Sequence, residues 1–194
     1  YMRGQKDYDQ WEALGNKGWD WSNVLPIFRR SEDYQHGSDD FHGAGGELRV
    51  EERRVNWEIL DVWRDAAAEC GIPKIEEFNQ GDNFGNAFFQ MNQKSGKRWS
   101  AVRAFLDPIR SRKNLTILTE THVDRLKLEK TDGGVQARGV IIKEKGQKRS
   151  IDAMAEVILS TGAIASPQLL QVSGIGPAAL LSKFGIEALV DIPG

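Results

Sequence analysis

The stretch Gly162-Ala163-Ile164-Ala165-Ser166-Pro167-Gln168-Leu169-Leu170-Gln171-Val172-Ser173-Gly174-Ile175-Gly176 follows directly on the apolar run Val157-Ile158-Leu159-Ser160-Thr161. A buried strand that breaks at a glycine and reopens as a helix around Ser166-Pro167 lets main chain approach the phosphates or ribose of a ligand. The motif points to a nucleotide cofactor on a mixed α/β fold.

Working back from it, the pattern is of strands. Leu115-Thr116-Ile117-Leu118-Thr119 is a compact β-branched run, and Val123 to Glu129 alternates apolar and charged residues as a half-buried antiparallel strand does. Asp132-Gly133-Gly134 makes a turn, Val135 to Lys145 returns, Gly146 turns again, and Lys148 to Ala155 leads to a last strand over Glu156 to Thr161. This predicts a strand, a β-meander and a buried strand entering the glycine turn.

The first half is more helical. Tyr8, Trp11 and Leu14 are spaced by three before Gly15, and Val24 to Arg30 predicts a second short helix capped by Ser22 or Asn23, with Pro26 in its first turn. The polar, glycine-rich run from Asp33 to Gly46 reads as a loop holding His36 and His42. Asn56 to Cys70 predicts a helix whose apolar stripe must pack against something, ended by Gly71 and Pro73. A turn-rich stretch, Asn79-Gln80-Gly81-Asp82-Asn83, precedes a strand over Ala87 to Gln93. Lys94-Ser95-Gly96-Lys97 supplies a hairpin-like turn, and Ser100 to Leu106 a short helix closed before Pro108.

With 194 residues, 40% hydrophobic and 28% charged, the chain can bury a core and is expected to be globular. A net charge of -2, with Lys and Arg spread along the chain, gives no basic footprint for nucleic acid or a membrane surface. The single Cys70 has no intrachain disulfide partner, which favours a reducing, cytoplasmic setting. The chain opens on Tyr1 and stops at Asp191-Ile192-Pro193-Gly194, so it reads as a fragment.

These residues carry a family resemblance. Gly162 to Gly176 resembles the second signature of the glucose–methanol–choline oxidoreductases, flavoenzymes that oxidise alcohols, and Tyr1-Met2-Arg3-Gly4 through Asp7-Tyr8-Asp9 resembles the tail of the first. Gly15-Asn16-Lys17-Gly18-Trp19, Phe28-Arg29-Arg30-Ser31-Glu32, Phe41-His42-Gly43-Ala44-Gly45-Gly46, Arg98-Trp99-Ser100-Ala101 and Asn114-Leu115-Thr116 follow in the family's order, most closely that of its choline dehydrogenase-like branch. The resemblance covers essentially the whole chain. It implies part of a FAD-binding Rossmann-like domain with a β-meander plus part of a substrate domain. Residues 1–35 would connect the flavin-wrapping region to the rest, 36–110 would belong to the substrate domain, and 111–194 to the FAD domain.

The family's Gly-x-Gly-x-x-Gly loop after a first strand is not among these residues. Gly174-Ile175-Gly176-Pro177-Ala178-Ala179 follows a helix and reads as a turn between helices. No catalytic residue is assigned, because the family's catalytic histidine would lie beyond Gly194. By resemblance, Val123 would offer its main chain to the adenine, although a plain core valine would look the same. Thr161, Gly162 and Ala163 would border the cofactor, the alternative being tight helix–strand packing. Phe88, Gln90 and Asn92 share one face of their expected strand and are candidates to line the substrate pocket; ordinary packing under a helix is the competing reading. His36 and His42 are six apart without a nearby cysteine, a spacing of no common metal pattern. The cluster of Trp11, Trp19 and Trp21 reads as local core.

The resemblance therefore implies a FAD-dependent enzyme that oxidises a primary alcohol, choline-like or other, to an aldehyde by hydride transfer to flavin. An electron acceptor of unknown kind, one that would place the protein near a membrane if membrane-bound, would reoxidise the flavin. A non-catalytic α/β binding module that keeps the scaffold is the alternative. Apolar strand edges over Leu115–Thr119 and Glu156–Thr161 suggest association between copies.

Overall fold

The computed structural model describes residues 4–80 and 83–193. The first three residues of the Tyr1-Met2-Arg3-Gly4 block, the Gly81-Asp82 part of the turn and Gly194 lie outside the described residues. The chain is a mixed α/β structure in two compact units, Tyr1–Leu115 and Thr116–Gly194.

In the first unit, α1 (Gln5–Ala13) and α2 (Trp21–Ser31) pack through Tyr8, Trp21 and Val24, with Trp11, Leu25, Phe28 and Phe41 around them. The rings meet edge-on or tilted, Tyr8 lying 5.3 Å from Trp11 and 5.9 Å from both Trp21 and Phe28, separations typical of favourable aromatic pairs. The cap of α2 is Asp20, not Ser22 or Asn23 as expected: its carboxylate accepts the Asn23 N–H at 3.2 Å and engages both of those side chains as well. The helix starts earlier than expected, so Pro26 stands in its second turn.

The expected loop after α2 begins and ends in short strands. β1 (Glu32–Tyr34) pairs in parallel with β2 (Leu48–Val50), and the glycine-rich residues between them fold back so that Tyr34 N–H donates to the Gly43 carbonyl at 2.8 Å. The expected long helix is α3 (Glu58–Glu69). Its stripe does not pack as expected, since Ile59, Val62 and Trp63 are exposed and Ala67 is the buried residue.

Residues 87–93 do not form the expected strand. The segment is extended, with a single bridge between Met91 and Glu51, and enters β3 (Gln93–Lys94) only at its end. Side chains replace the ladder: Asn92 donates to the Arg49 carbonyl at 3.3 Å and Gln93 to that of Glu52 at 2.7 Å. Amide side chains that reach neighbouring main chain compete with regular pairing. The hairpin is present, β3 returning as β4 (Lys97–Arg98) through Ser95 and Gly96, both at positive φ. The expected helix over 100–106 is a π-helical turn, Val102–Leu106, which runs into a 3₁₀ turn containing Pro108.

In the second unit, β5 (His122–Thr131), β6 (Gly134–Glu144) and β7 (Gln147–Asp152) form the expected meander. Two register shifts interrupt the pairing of β5 with β6, and Gly139 sits opposite Lys127 at the second of them, at φ +147, where a Cβ would strike the Ile151 carbonyl. The flanking runs, 115–119 and 156–161, are not strands as expected: neither belongs to any of the sheets formed by the described residues.

The quoted stretch forms α4 (Gly162–Val172), a helix that opens at the glycine itself rather than near Ser166-Pro167. After it, β8 (Ile175–Gly176) lies parallel to β9 (Val190–Asp191) across α5 (Ala178–Lys183), so the Gly174–Ala179 run holds a short strand as well as a turn. The foot of α4 is fixed to β5 by one side chain. Ser173 Oγ accepts the Leu126 N–H at 2.8 Å and donates to the Leu169 carbonyl at 2.6 Å. Ser173→Ala leaves a buried donor unpaired. It is expected to cost about 1–3 kcal/mol, read by chemical denaturation together with faster amide exchange at Leu126.

Candidate functional site

The densest chemistry of the chain is a buried polar network in the first unit. His42 is 1% exposed and stands between two carboxylates. Its Nδ1 lies 3.0 Å from both oxygens of Asp39, and its Nε2 lies 3.1 Å from Glu77 Oε1. The Tyr34 ring stacks on the imidazole at a centroid separation of 4.2 Å.

Burial opposes the charge on His42, but Glu77 and Asp39 outweigh it and hold the imidazole protonated, its pKa pushed up to about 9. Burial likewise opposes the charge on Glu77, and His42, Gln90 and Tyr34 together keep its carboxyl below the usual range. The protonated ring hydrogen-bonds to Asp39 through Nδ1, while its Nε2 meets Glu77 Oε1 as an ion pair outside hydrogen-bond geometry.

Glu77 carries the polarity onward. Its Oε2 accepts from Tyr34 Oη at 3.1 Å and from the Gln90 amide nitrogen. That nitrogen also donates to Tyr34 Oη at 3.1 Å, and the Gln90 carbonyl accepts from Asn79 Nδ2 at 3.0 Å. Gln90, Asn79 and Asn92 then line a cavity of about 150 Å³, with Glu32, Phe28 and Met91 among its other walls. Burial raises the Glu32 carboxyl, against the opposing effect of the N–H of Gly43, which donates to it at 3.0 Å.

Of the residues expected on one strand face, Gln90 and Asn92 thus meet at the cavity, and Phe88 does not line it. Phe88 is instead overlaid by the guanidiniums of Arg53 and Arg64, and Arg64 is itself tied to Asn86 Oδ1 at 3.1 Å. His42, Asn79 and Glu77 were not legible as a site. Their only sequence signal is the Phe41-His42-Gly43 block, read there as loop; Asp39, Glu77 and Tyr34 become its partners only through folding.

The second unit holds the expected cofactor-facing residues. Gly162 has φ +94, a conformation that favours glycine, and a Cβ placed on it meets nothing within 4 Å. Packing against a neighbour is therefore not what makes the residue glycine. Thr161 precedes α4 without capping it through its side chain; its hydroxyl pairs instead with that of Ser166 at 2.9 Å. Gly162, Ala163 and Ile164 are exposed, so the first N–H groups of an eleven-residue helix stand open, the arrangement that accepts anionic or electronegative groups. Val123 lies near the start of β5, an edge strand among the described residues. α4 is tied to β5 through Ser173, at the end opposite Gly162.

The geometry meets an independent finding: residues 1–185 match the GMC oxidoreductase family. The chain belongs to that family. This GMC chain is 40% identical to human mitochondrial choline dehydrogenase over its whole length, which is 32% of that relative. Pyridoxine 4-oxidase from Mesorbium loti superposes with a TM-score of 0.84 at 36% identity, over 100% of this chain and 38% of that one. A FAD-dependent oxidoreductase from Chaetomium thermophilum superposes at 0.83 with 29% identity, over 100% and 35%. The GMC chain thus spans about a third of the length of the relatives it matches. Among its described residues, no helix is long and apolar enough to cross a membrane and no group of three His, Cys, Asp or Glu side chains is placed to hold a metal.

Proposed function

We propose that the full-length protein carrying this chain is a FAD-dependent oxidoreductase that oxidises a primary alcohol to an aldehyde. The observation that carries this reading is the opening of α4: a glycine at positive φ, an open helix N-terminus and free space where a side chain would project. Those features fit FAD, whose electronegative ribose and phosphate oxygens suit open N–H groups, and the bound flavin supplies the hydride acceptor. Thr161, Gly162 and Ala163 would hold the cofactor there, and Val123 would offer main-chain groups from the β5 edge. Phe88, Gln90 and Asn92 belong to the substrate side of the proposal, with Gln90 and Asn92 at the cavity.

In the same reading, residues 1–35 connect the flavin-wrapping region to the rest, 36–110 contribute to a substrate domain and 111–194 to the FAD domain. An external electron acceptor completes turnover. The net charge of -2 and the dispersed cations support a small-molecule partner rather than a nucleic acid. Exposed Ile117, Leu118 and Ile158 support association between copies. The single Cys70 of this chain supports a reducing cytoplasmic setting, and an electron acceptor in a membrane would bring the protein to it.

Purified full-length protein is expected to carry one FAD per chain, with its visible absorbance bleached anaerobically by a primary alcohol. Protein without flavin contradicts the cofactor assignment. Flavin that no primary alcohol bleaches contradicts the substrate class and favours the non-catalytic module.

A further inference from the structure

α3 carries more apolar surface than its own unit uses. Its inward side is held by Ala67, which is buried, and by Arg64, which reaches Asn86 Oδ1 at 3.1 Å and the Ile75 carbonyl at 3.2 Å. Beside that side, Ile59, Val62, Trp63 and Ala66 recur at three- and four-residue spacing and form a second stripe. The stripe covers roughly 100° of the helix surface, the width that a helix presents to a core. It stands open, with Ile59 63% and Trp63 64% exposed. Its far flank is acidic, made by Glu58, Asp61, Asp65 and Glu69, of which Asp65 is matched by Lys74. Apolar side chains exposed singly are ordinary, but four on one stripe between an inward side and a charged flank form a contact surface.

We propose that this stripe is the docking face for the remainder of the protein's own polypeptide. The covering segment lies outside these 194 residues, sets apolar side chains against Ile59, Val62 and Trp63, and turns a lysine or arginine edge toward Glu58 and Glu69. The assignment stands whether or not the protein oxidises alcohols. Two observations select this occupant. The chain matches 32% of human mitochondrial choline dehydrogenase and 38% of pyridoxine 4-oxidase, so about two thirds of each relative lies outside the matched region and is available as cover. Charge disfavours a second copy. In an antiparallel two-fold pairing of this face, like flank meets like flank, and Glu58, Asp61 and Glu69 confront their own counterparts. An unbroken stripe of Ile, Val, Trp and Ala also has the composition of a permanent interface rather than a transient one.

The test uses the full-length protein with the photo-cross-linker p-benzoylphenylalanine placed at position 63 and, in a second variant, at position 59, each checked for folding by circular dichroism. Unlabelled and isotopically heavy preparations are mixed before irradiation. Position 63 is expected to join a peptide outside residues 1–194, with both halves of the cross-link from one preparation. Heavy–light cross-links put a second copy on the stripe and overturn the proposal. Cross-links into residues 116–194, or none from either position, overturn it as well. Val62→Asp supplies a readout without photochemistry. Under a covering segment it strands a carboxylate and should lower the melting temperature by at least about 3 °C, whereas on a solvated stripe it changes little. An unchanged melting temperature overturns the proposal; should Val62→Asp not fold, the cross-links decide. Neither readout uses flavin or turnover, so a protein that oxidises no alcohol still decides the role of α3.

Discussion

Replacing His42 by alanine is expected to cost about 3–5 kcal/mol of stability, because it strands the buried carboxylate of Glu77 that the imidazolium now neutralises, whereas the half-exposed Asp39 is left to water. Glu77 is 7% exposed and can recover little hydration when its partner is gone. The variant also forfeits the stacking of Tyr34 on the ring. The pH dependence has a definite sign. A histidine whose folded pKa is about 9 against an ordinary 6.5 contributes stability fully below about 6.5, and that contribution is lost as pH rises through about 9. Asp39 and Glu77, held below the usual carboxylate range, contribute above that range and lose their share as pH falls through it. Urea midpoints should therefore be highest between those limits and fall on the alkaline side in the unaltered protein, with the alkaline fall much reduced in His42→Ala. A loss under about 1 kcal/mol, or an identical alkaline fall in both proteins, contradicts a charged His42.

Gly162→Val is expected to strip FAD from the full-length protein while leaving it folded. The residue stands at φ +94, where a β-branched side chain is strained by about 1–2 kcal/mol, an amount a folded protein of this size commonly tolerates. Within the chain itself, a Cβ there meets nothing within 4 Å, so the substitution brings no internal clash. The proposed occupant of that space is the cofactor, and side-chain atoms would occupy the approach to the open N–H groups of α4. Flavin per chain, read from absorbance after gel filtration, should drop at least about tenfold, with Gly162→Ala intermediate. Full flavin content in the valine variant contradicts close approach at this glycine.

What could be read from sequence divides by the range of the interactions involved. α1, α2, α3 and the meander were legible because their apolar spacing is a local property of ten or so consecutive residues. The turns at Ser95-Gly96 and Gly146 were legible for the same reason, since positive φ is a local demand that turn residues meet. The runs at 87–93, 115–119 and 156–161 have strand composition yet are not strands. Composition states that a segment suits a sheet; it does not supply the neighbouring main chain with which to form one. Asp20 displaced Ser22 and Asn23 as the cap because the helix starts two to three residues earlier, which changes the oxygen that reaches the first free N–H groups.

The candidate sites divide in the same way. The sequence by itself determined the family blocks, the glycine at which the chain breaks before a helix and the candidacy of Gln90, since each rests on residues adjacent in the chain; that α4 opens at that glycine rather than near Ser166-Pro167 was decided by the fold. Only the tertiary structure decided that His42, placed in a polar loop, is buried, and that Asp39, Glu77, Tyr34 and Gln90 are its company. It also decided that Phe88 goes to two arginines while Gln90 and Asn92 go to the cavity. Residues 42, 77 and 90 are brought together by the path of the chain, and a histidine acquires its charge, and an amide its orientation, from what surrounds it in space rather than from what precedes it in sequence.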